Sequence, residues 1–187
     1  MNETLNFLAV SGSLRVASLN SALLRVACGL TPPGVAMALY PGLHELPLFN
    51  PDLEPELIPA VQRWREAVGR CDALVIASPE YAHGISGPMK NALDWLVAGE
   101  EFVHKPLALW NASPRATHAH AALREVVTVM SAHLVEPAFV TVPVVGARLG
   151  EADIAAQPQV TAPVLAALAA LAAACRAGQA LSASSSS

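Results

Sequence analysis

The stretch LNFLAVSGSLRVASLNSALLRVA, Leu5 to Ala27, changes character twice. Residues 5–10 form an apolar run with the length of a buried strand. Residues 19–29 then place Leu19, Leu23, Leu24 and Ala27 on one face at helical spacing. Between the two stand Ser11, Gly12, Ser13, Arg15 and Ser18, with Asn20 just inside the helix. A strand that feeds a helix through a short polar loop is the opening of a βα unit.

The unit recurs along the chain. TPPG at 31–34 breaks the first helix, and VAMALY (35–40) reads as the second strand. A proline-rich loop leads to helical spacing over 56–69. CDALVIAS (71–78) is a continuous apolar run, as a strand covered on both faces requires. The loop PEYAHGISG precedes the helical PMKNALDWLVAG. KPLALWNAS (105–113) is the fourth strand, 115–134 a helix, PAFVTVPVV (137–145) the fifth strand and 157–176 the last helix. Five strands alternating with helices predict an α/β fold: a parallel sheet, right-handed crossovers and helices on both faces. No internal repeat or linker interrupts residues 1–178, so one domain is expected. The tail from 179, ending in SASSSS, has too little apolar surface to fold and is expected to be disordered.

In an open parallel sheet, ligands bind beyond the carboxyl ends of the strands. Three loops with unusual side chains leave such ends, at 11–20, 78–87 and 111–117. The first joins a strand to a helix N-terminus, where free N–H groups and the helix dipole favour an anion. Ser13 and Ser18 add hydroxyls, Arg15 a positive charge and Asn20 an amide. One serine would be an ordinary N-cap; several hydroxyls and an arginine exceed what a cap requires and suit a phosphate. Neither GxGxxG nor GxxxxGK[ST] is present, so a small phosphate ester is favoured over a nucleotide. In the second loop Pro79, Tyr81 and the glycines could wall a planar ligand. Glu80 fits either that role or a capping carboxylate. Lys90, Asn91 and Asp94 lie on a helix, where structural hydrogen bonding is expected. In the third loop His118 and His120 are two apart, which a helix points to different faces, so a metal pair is not expected.

Composition narrows the classes further. The chain has 187 residues, 53% hydrophobic and 14% charged, with a net charge of −4. Its two lysines and nine arginines are scattered, and no basic field for nucleic acid exists. Cys28, Cys71 and Cys175 form no CxxC pair, so neither a disulfide scaffold nor a zinc site is expected, and buried thiols in a reducing cytoplasm are. The N-terminus lacks the basic start and long apolar run of a secretion signal. APVLAALAALAAACRAG falls short of a membrane span and reads as a packing or subunit-contact helix. HExxH and the hydrolase elbow GxSxG are both absent.

At these loops the sequence resembles the NADPH-dependent FMN reductase family, a branch of the flavodoxin-like fold. GSLRVASLN (12–20) is similar to that family's phosphate loop, GSLRxxSxN. PEYAHGISGPMKNALDW (79–95) is similar to its flavin-ring loop, PEYNxSxPGxLKNALDW. LPLFNPDLE (46–54) resembles the loop after its second strand. The resemblance implies a three-layer sandwich with strand order 2-1-3-4-5 and FMN at the switch between strands one and three. It implies that Ser13, Arg15, Ser18 and Asn20, with Leu19 and Ser21 beside them, hold the phosphate. Pro79, Glu80, Tyr81, Ala82 and His83 would line the isoalloxazine, and Ser113 would approach it. The chain departs from the pattern at Ala82, where asparagine is common, and at Ser86, where proline is. Arg115 and Thr117 stand where glycines are frequent.

The activity so implied is ping-pong hydride transfer from NADPH or NADH through FMN to a small-molecule acceptor: free flavin, a quinone, an azo or nitro compound, or an oxidised metal ion. No catalytic residue of the protein is required. A homodimer or homotetramer is implied, with Trp95, Leu96 and the loop 46–53 as interface candidates. A flavodoxin-type electron carrier and a flavin-free phosphate-ester domain are the alternatives. The modest charge and Arg15 oppose the first, and the PEY loop opposes the second.

Overall fold

The computed structural model describes residues 3–143 and 149–185. In chain order its elements are β1 (Leu5–Ser11), α1 (Leu19–Cys28), β2 (Val35–Leu39), α2 (Pro59–Arg70), β3 (Ala73–Ala77), β4 (Glu80–Tyr81), β5 (Gly84–Ile85), α3 (Gly87–Asp94), β6 (Pro106–Asn111), α4 (Thr117–Val129), β7 (His133–Leu134), β8 (Val140–Thr141), α5 (Glu151–Ala155) and α6 (Pro158–Ser185). The main sheet runs β2-β1-β3-β6-β7, with β8 also on β6, and every pairing in it is parallel. Strand order reverses between β1 and β3, as the resemblance implies for a flavodoxin-like fold.

The alternation of side chains sorts the core into two clusters, one on each face of the sheet. Phe7 and Ala9 of β1, Ala73, Val75 and Ala77 of β3, and Ala108 and Trp110 of β6 share one cluster with α1 and α6. Val10, Leu74, Ile76, Leu107 and Leu109 turn to the other, where α2, α3 and α4 pack. All five residues of β3 are buried. Burial on both faces is why that strand reads as an unbroken apolar run rather than an alternating one.

Several expectations are corrected. Of the fifth strand expected at 137–145, only β8 forms among the described residues; β7, the other short strand on the edge of β6, precedes it, at residues expected to end the helix 115–134. Pro137 has no N–H to give a ladder, and Glu136–Ala138 coil into a 3-10 turn between β7 and β8. Residues 144 and 145 lie outside the described residues. The expected loop after β3 contains a small antiparallel hairpin, β4–β5. The tail expected to be disordered from 179 is helical as far as Ser185. Extending an existing helix fixes one residue per hydrogen bond, and Ala180 and Leu181 are strong helix formers. Residues 158–181 are therefore long and apolar enough to cross a membrane by length and composition. Yet Val160, Val164, Leu168, Leu171 and Cys175 are buried against the sheet at helical spacing, as a core helix requires.

Trp95 and Leu96, expected at a subunit interface, are 2% and 1% exposed within the single chain. The Trp95 indole donates to Pro47 O at 2.8 Å, and its ring meets the Phe49 ring edge-on at 5.1 Å. Asn91 Nδ2 also donates to Pro47 O, and its Oδ1 accepts from Phe49 N, which ties the loop 46–53 onto α3. Lys90 and Asp94 form an ion pair along the same helix. Leu48 and Leu53 in that loop remain exposed.

All three cysteines are free. Burial pushes the Cys71 and Cys175 thiols up to about 11, so both are inert near neutrality. Neither should react with a chromogenic disulfide reagent at pH 8 until the chain is unfolded. Labelling of either in the folded protein at the rate of a free thiol would contradict this packing.

Candidate functional site

Three loops converge beyond the carboxyl ends of β1, β3 and β6, around a cavity of about 390 Å³. That volume lies in the range of small-molecule sites. Of the residues expected to bind a ligand, Ser13, Arg15, Ser18, Leu19, Asn20, Pro79, Glu80, Tyr81 and Ser113 line it. Arg115 and Asn111 line it too, with Ala17, Ala112 and Ala116, whose part sequence reasoning missed because alanine carries no distinctive chemistry.

The β1–α1 loop is shaped by what it packs on. Gly12 N donates to Ala77 O at 2.8 Å, and the Ser86 hydroxyl donates to Gly12 O at 2.6 Å. A Cβ at position 12 would lie 2.5 Å from Ser78 Oγ, 2.8 Å from Ser86 Oγ and 2.9 Å from Ser78 Cβ. Only glycine lets β1 turn this close to β3. Ser86 is fully buried, caps α3 by accepting from Met89 N, and meets the Ser78 hydroxyl at 3.2 Å. Its departure from the family's proline thus supplies both a helix cap and a clasp between two site loops. A hydroxyl one residue ahead of GPMK was the available signal.

Polar residues in the loop divide into those already engaged and those left free. Ser18 is the N-cap of α1 and accepts from Ser21 N. Asn20 Oδ1 accepts from Ala112 N at 3.0 Å, bridging the first and third loops. Ser21 does not line the cavity: it is 5% exposed, and its hydroxyl pairs with Ser11 Oγ at 2.6 Å. Its expected contact with a phosphate is therefore corrected to a packing role. Arg15 is exposed and, among the described residues, its guanidinium has no hydrogen bond or ion pair. Leu19 and Asn20 open α1, where backbone N–H groups have no carbonyl within the helix. Free N–H groups, the Ser13 hydroxyl and an unpaired guanidinium fit a phosphate monoester.

The second loop is held to α4. Glu80 Oε2 accepts from Ala119 N at 2.9 Å, in the first turn of a helix whose own N-cap, Ala116, offers no side-chain oxygen. The carboxylate thus caps α4 from a distant strand while also lining the cavity. Ala82 and His83 form the tip of the β4–β5 hairpin and do not line the cavity, contrary to expectation. The two-residue connection points them away from β4. His83 instead stacks on His118 of α4 at 4.2 Å between ring centroids. His120 faces elsewhere, edge-on to Phe139, and burial, then the Arg124 charge, lowers its pKa. Among the described residues no group of three or more His, Cys, Asp and Glu side chains could hold a metal ion.

Both tip residues have positive φ, +49° at Ala82 and +59° at His83. Asn-Gly is the preferred pair for such a turn, and an ordinary residue there costs about 1–2 kcal/mol. Ala82→Asn with His83→Gly should stabilise the fold by about 1 kcal/mol in urea unfolding, since the lost ring stack offsets part of the relief. Destabilisation of the double variant would show that the stack outweighs the strain.

A profile of the NADPH-dependent FMN reductase family matches residues 5–146. The chain belongs to that family. It is similar to an NAD(P)H-dependent FMN reductase of Pseudomonas aeruginosa, 42% identical over 116 residues, which are 60% of this chain and 62% of that protein. It is also similar to an NADPH:quinone oxidoreductase of Arabidopsis thaliana, 39% identical over 58% of this chain and 54% of the relative. These matches span a little over half of the curated relatives' own length. Among solved structures, the flavoenzyme NAD(P)H:acceptor oxidoreductase FerB of Paracoccus denitrificans shares the fold. Its TM-score is 0.68 at 22% identity, covering 89% of this chain and 96% of that one. For an FMN reductase family member the cavity stands where the fold places a ligand, at the switch between β1 and β3.

Proposed function

We propose that this chain is an FMN-dependent NAD(P)H oxidoreductase working by a ping-pong cycle. The observation that carries the reading is the convergence of an unpaired arginine, a helix N-terminus and the Pro79–Tyr81 loop on one cavity at the switch point. Bound FMN would supply hydride acceptance from the nicotinamide and return of the electrons to an acceptor.

The protein's own part is binding and orientation. Ser13, Arg15, Ser18 and the N–H groups of Leu19 and Asn20 would hold the phosphate. Asn20 also fixes the third loop through Ala112, from which Ser113 would meet the ring. Glu80 orients its hairpin by capping α4, leaving Pro79 and the exposed Tyr81 to flank the ring. No side chain need move a proton for hydride transfer, and one face of the ring must stay open to both reactants.

Quinones are the favoured acceptors, because relatives from a plant and from Escherichia coli are named as quinone reductases. The chain acts as one domain in a cytoplasmic homodimer or homotetramer, with the exposed Leu48 and Leu53 in the contact. The test is the visible spectrum of the purified protein, before and after adding FMN and then NADPH without oxygen. A two-band flavin spectrum that bleaches with NADPH supports the reading. A flavin spectrum that NADPH leaves untouched would indicate an electron carrier, and failure to bind FMN would remove the flavin altogether.

A further inference from the structure

Five arginines, Arg25, Arg63, Arg65, Arg70 and Arg124, form ion pairs with carboxylates. Arg15 and Arg115 do not, among the described residues, and both line the same cavity. They reach it from different loops, Arg15 from β1–α1 and Arg115 from β6–α4. One carboxylate, Glu80, also lines the cavity, and its Oε2 is engaged in capping α4. Two guanidiniums against one carboxylate leave the lining net positive, which favours anionic occupants. A single phosphate dianion with the first loop's N–H groups accounts for Arg15. The second charge is left over.

The backbone that carries Arg115 is held in place. Asn111, 4% exposed, accepts from Ser113 N at 2.9 Å through Oδ1 and donates to Ala116 O at 3.1 Å through Nδ2. Both ends of the turn are thereby pinned, and the exposed Arg115 side chain is presented from a fixed base. It is carried two residues after Ser113, on a different loop from Arg15.

We propose that Arg115 is the donor-selecting residue, taking the 2′-phosphate of NADPH and making this chain prefer NADPH to NADH. The proposal rests on the reading of the cavity as the meeting place of flavin and reduced nicotinamide nucleotide. A phosphate monoester offers the paired oxygens that a planar guanidinium engages bidentately, and a ribose hydroxyl does not.

The experiment compares the wild type with Arg115→Ala and Arg115→Lys by titration calorimetry, using NADP+, NAD+, 2′,5′-ADP and 5′-AMP as probes, with FMN affinity measured beside them. Arg115→Ala should weaken NADP+ and 2′,5′-ADP about tenfold, the scale of one exposed charge-assisted contact. NAD+, 5′-AMP and FMN should bind as before, and Arg115→Lys should retain part of the preference. In turnover, the loss should appear in KM for NADPH rather than in kcat. Equal weakening of NADP+ and NAD+ would assign the charge to the shared pyrophosphate and overturn the proposal. So would weakened FMN, an unchanged variant, or a wild type without preference. A wild type that binds no FMN yet loses its 2′,5′-ADP preference in Arg115→Ala would sink the oxidoreductase reading and leave this one standing. A wild type that binds FMN and oxidises NADPH, with a silent Arg115→Ala, would do the reverse.

Discussion

Gly12→Ala should destabilise the fold by about 3 kcal/mol, equivalent to roughly 6–12 °C in Tm for a domain of this size. The new methyl would meet Ser78 Cβ at 2.9 Å as well as two hydroxyl oxygens. The hydroxyls could rotate, but Ser78 Cβ is fixed to its backbone, so β1 or β3 must shift. Such a shift strains the bonds from Gly12 N to Ala77 O and from Ser86 Oγ to Gly12 O. Each is buried, and a buried polar group left unpaired costs about 1–3 kcal/mol. The same displacement moves the first loop against the second, so ligand binding should weaken along with stability. Adding Ser78→Gly removes two of the three colliding atoms, leaving the Ser86 hydroxyl oxygen, and should recover much of the loss. Equal stability of Gly12→Ala and the wild type, by thermal and urea unfolding, would contradict the close approach of β1 to β3.

Arg15→Ala should weaken FMN by roughly 30-fold and leave stability within about 0.5 kcal/mol of wild type. The guanidinium is exposed and makes no hydrogen bond or ion pair among the described residues, so the folded chain loses little. A charge-assisted bond to phosphate contributes about 2 kcal/mol, which sets the factor. Riboflavin, which lacks the phosphate, should bind the variant and the wild type alike. Quenching of flavin fluorescence measures both. A parallel loss of FMN and riboflavin affinity would place Arg15 against the ring instead. An unchanged FMN affinity would remove the residue from the site.

Reading the chain in order was enough for the βα alternation, because burial of β3 and β6 on both faces leaves unbroken apolar runs. It was also enough to point to the three loops, since strand–loop–helix junctions with clustered hydroxyls, glycine and arginine are local patterns. Where a single local rule competed with another, legibility ended. Pro137 kept the start of the expected fifth strand out of the ladder, and alanine propensity carried the last helix through Gly178 to Ser185.

Sequence alone therefore determined the fold class, the family and the polar character of the site. Only the tertiary structure decided which polar groups are free to bind anything. Glu80 is engaged by an N–H 39 residues away, Asn20 by one 92 residues away, and Ser86 by a carbonyl 74 residues away. Ser21 and Ser13 look alike in the chain, yet one is buried against Ser11 and the other opens on the cavity. A hydrogen bond between distant residues exists only once the sheet has aligned its strands. The division into engaged and available groups therefore follows from the packing of β1, β3 and β6 rather than from any local run of residues.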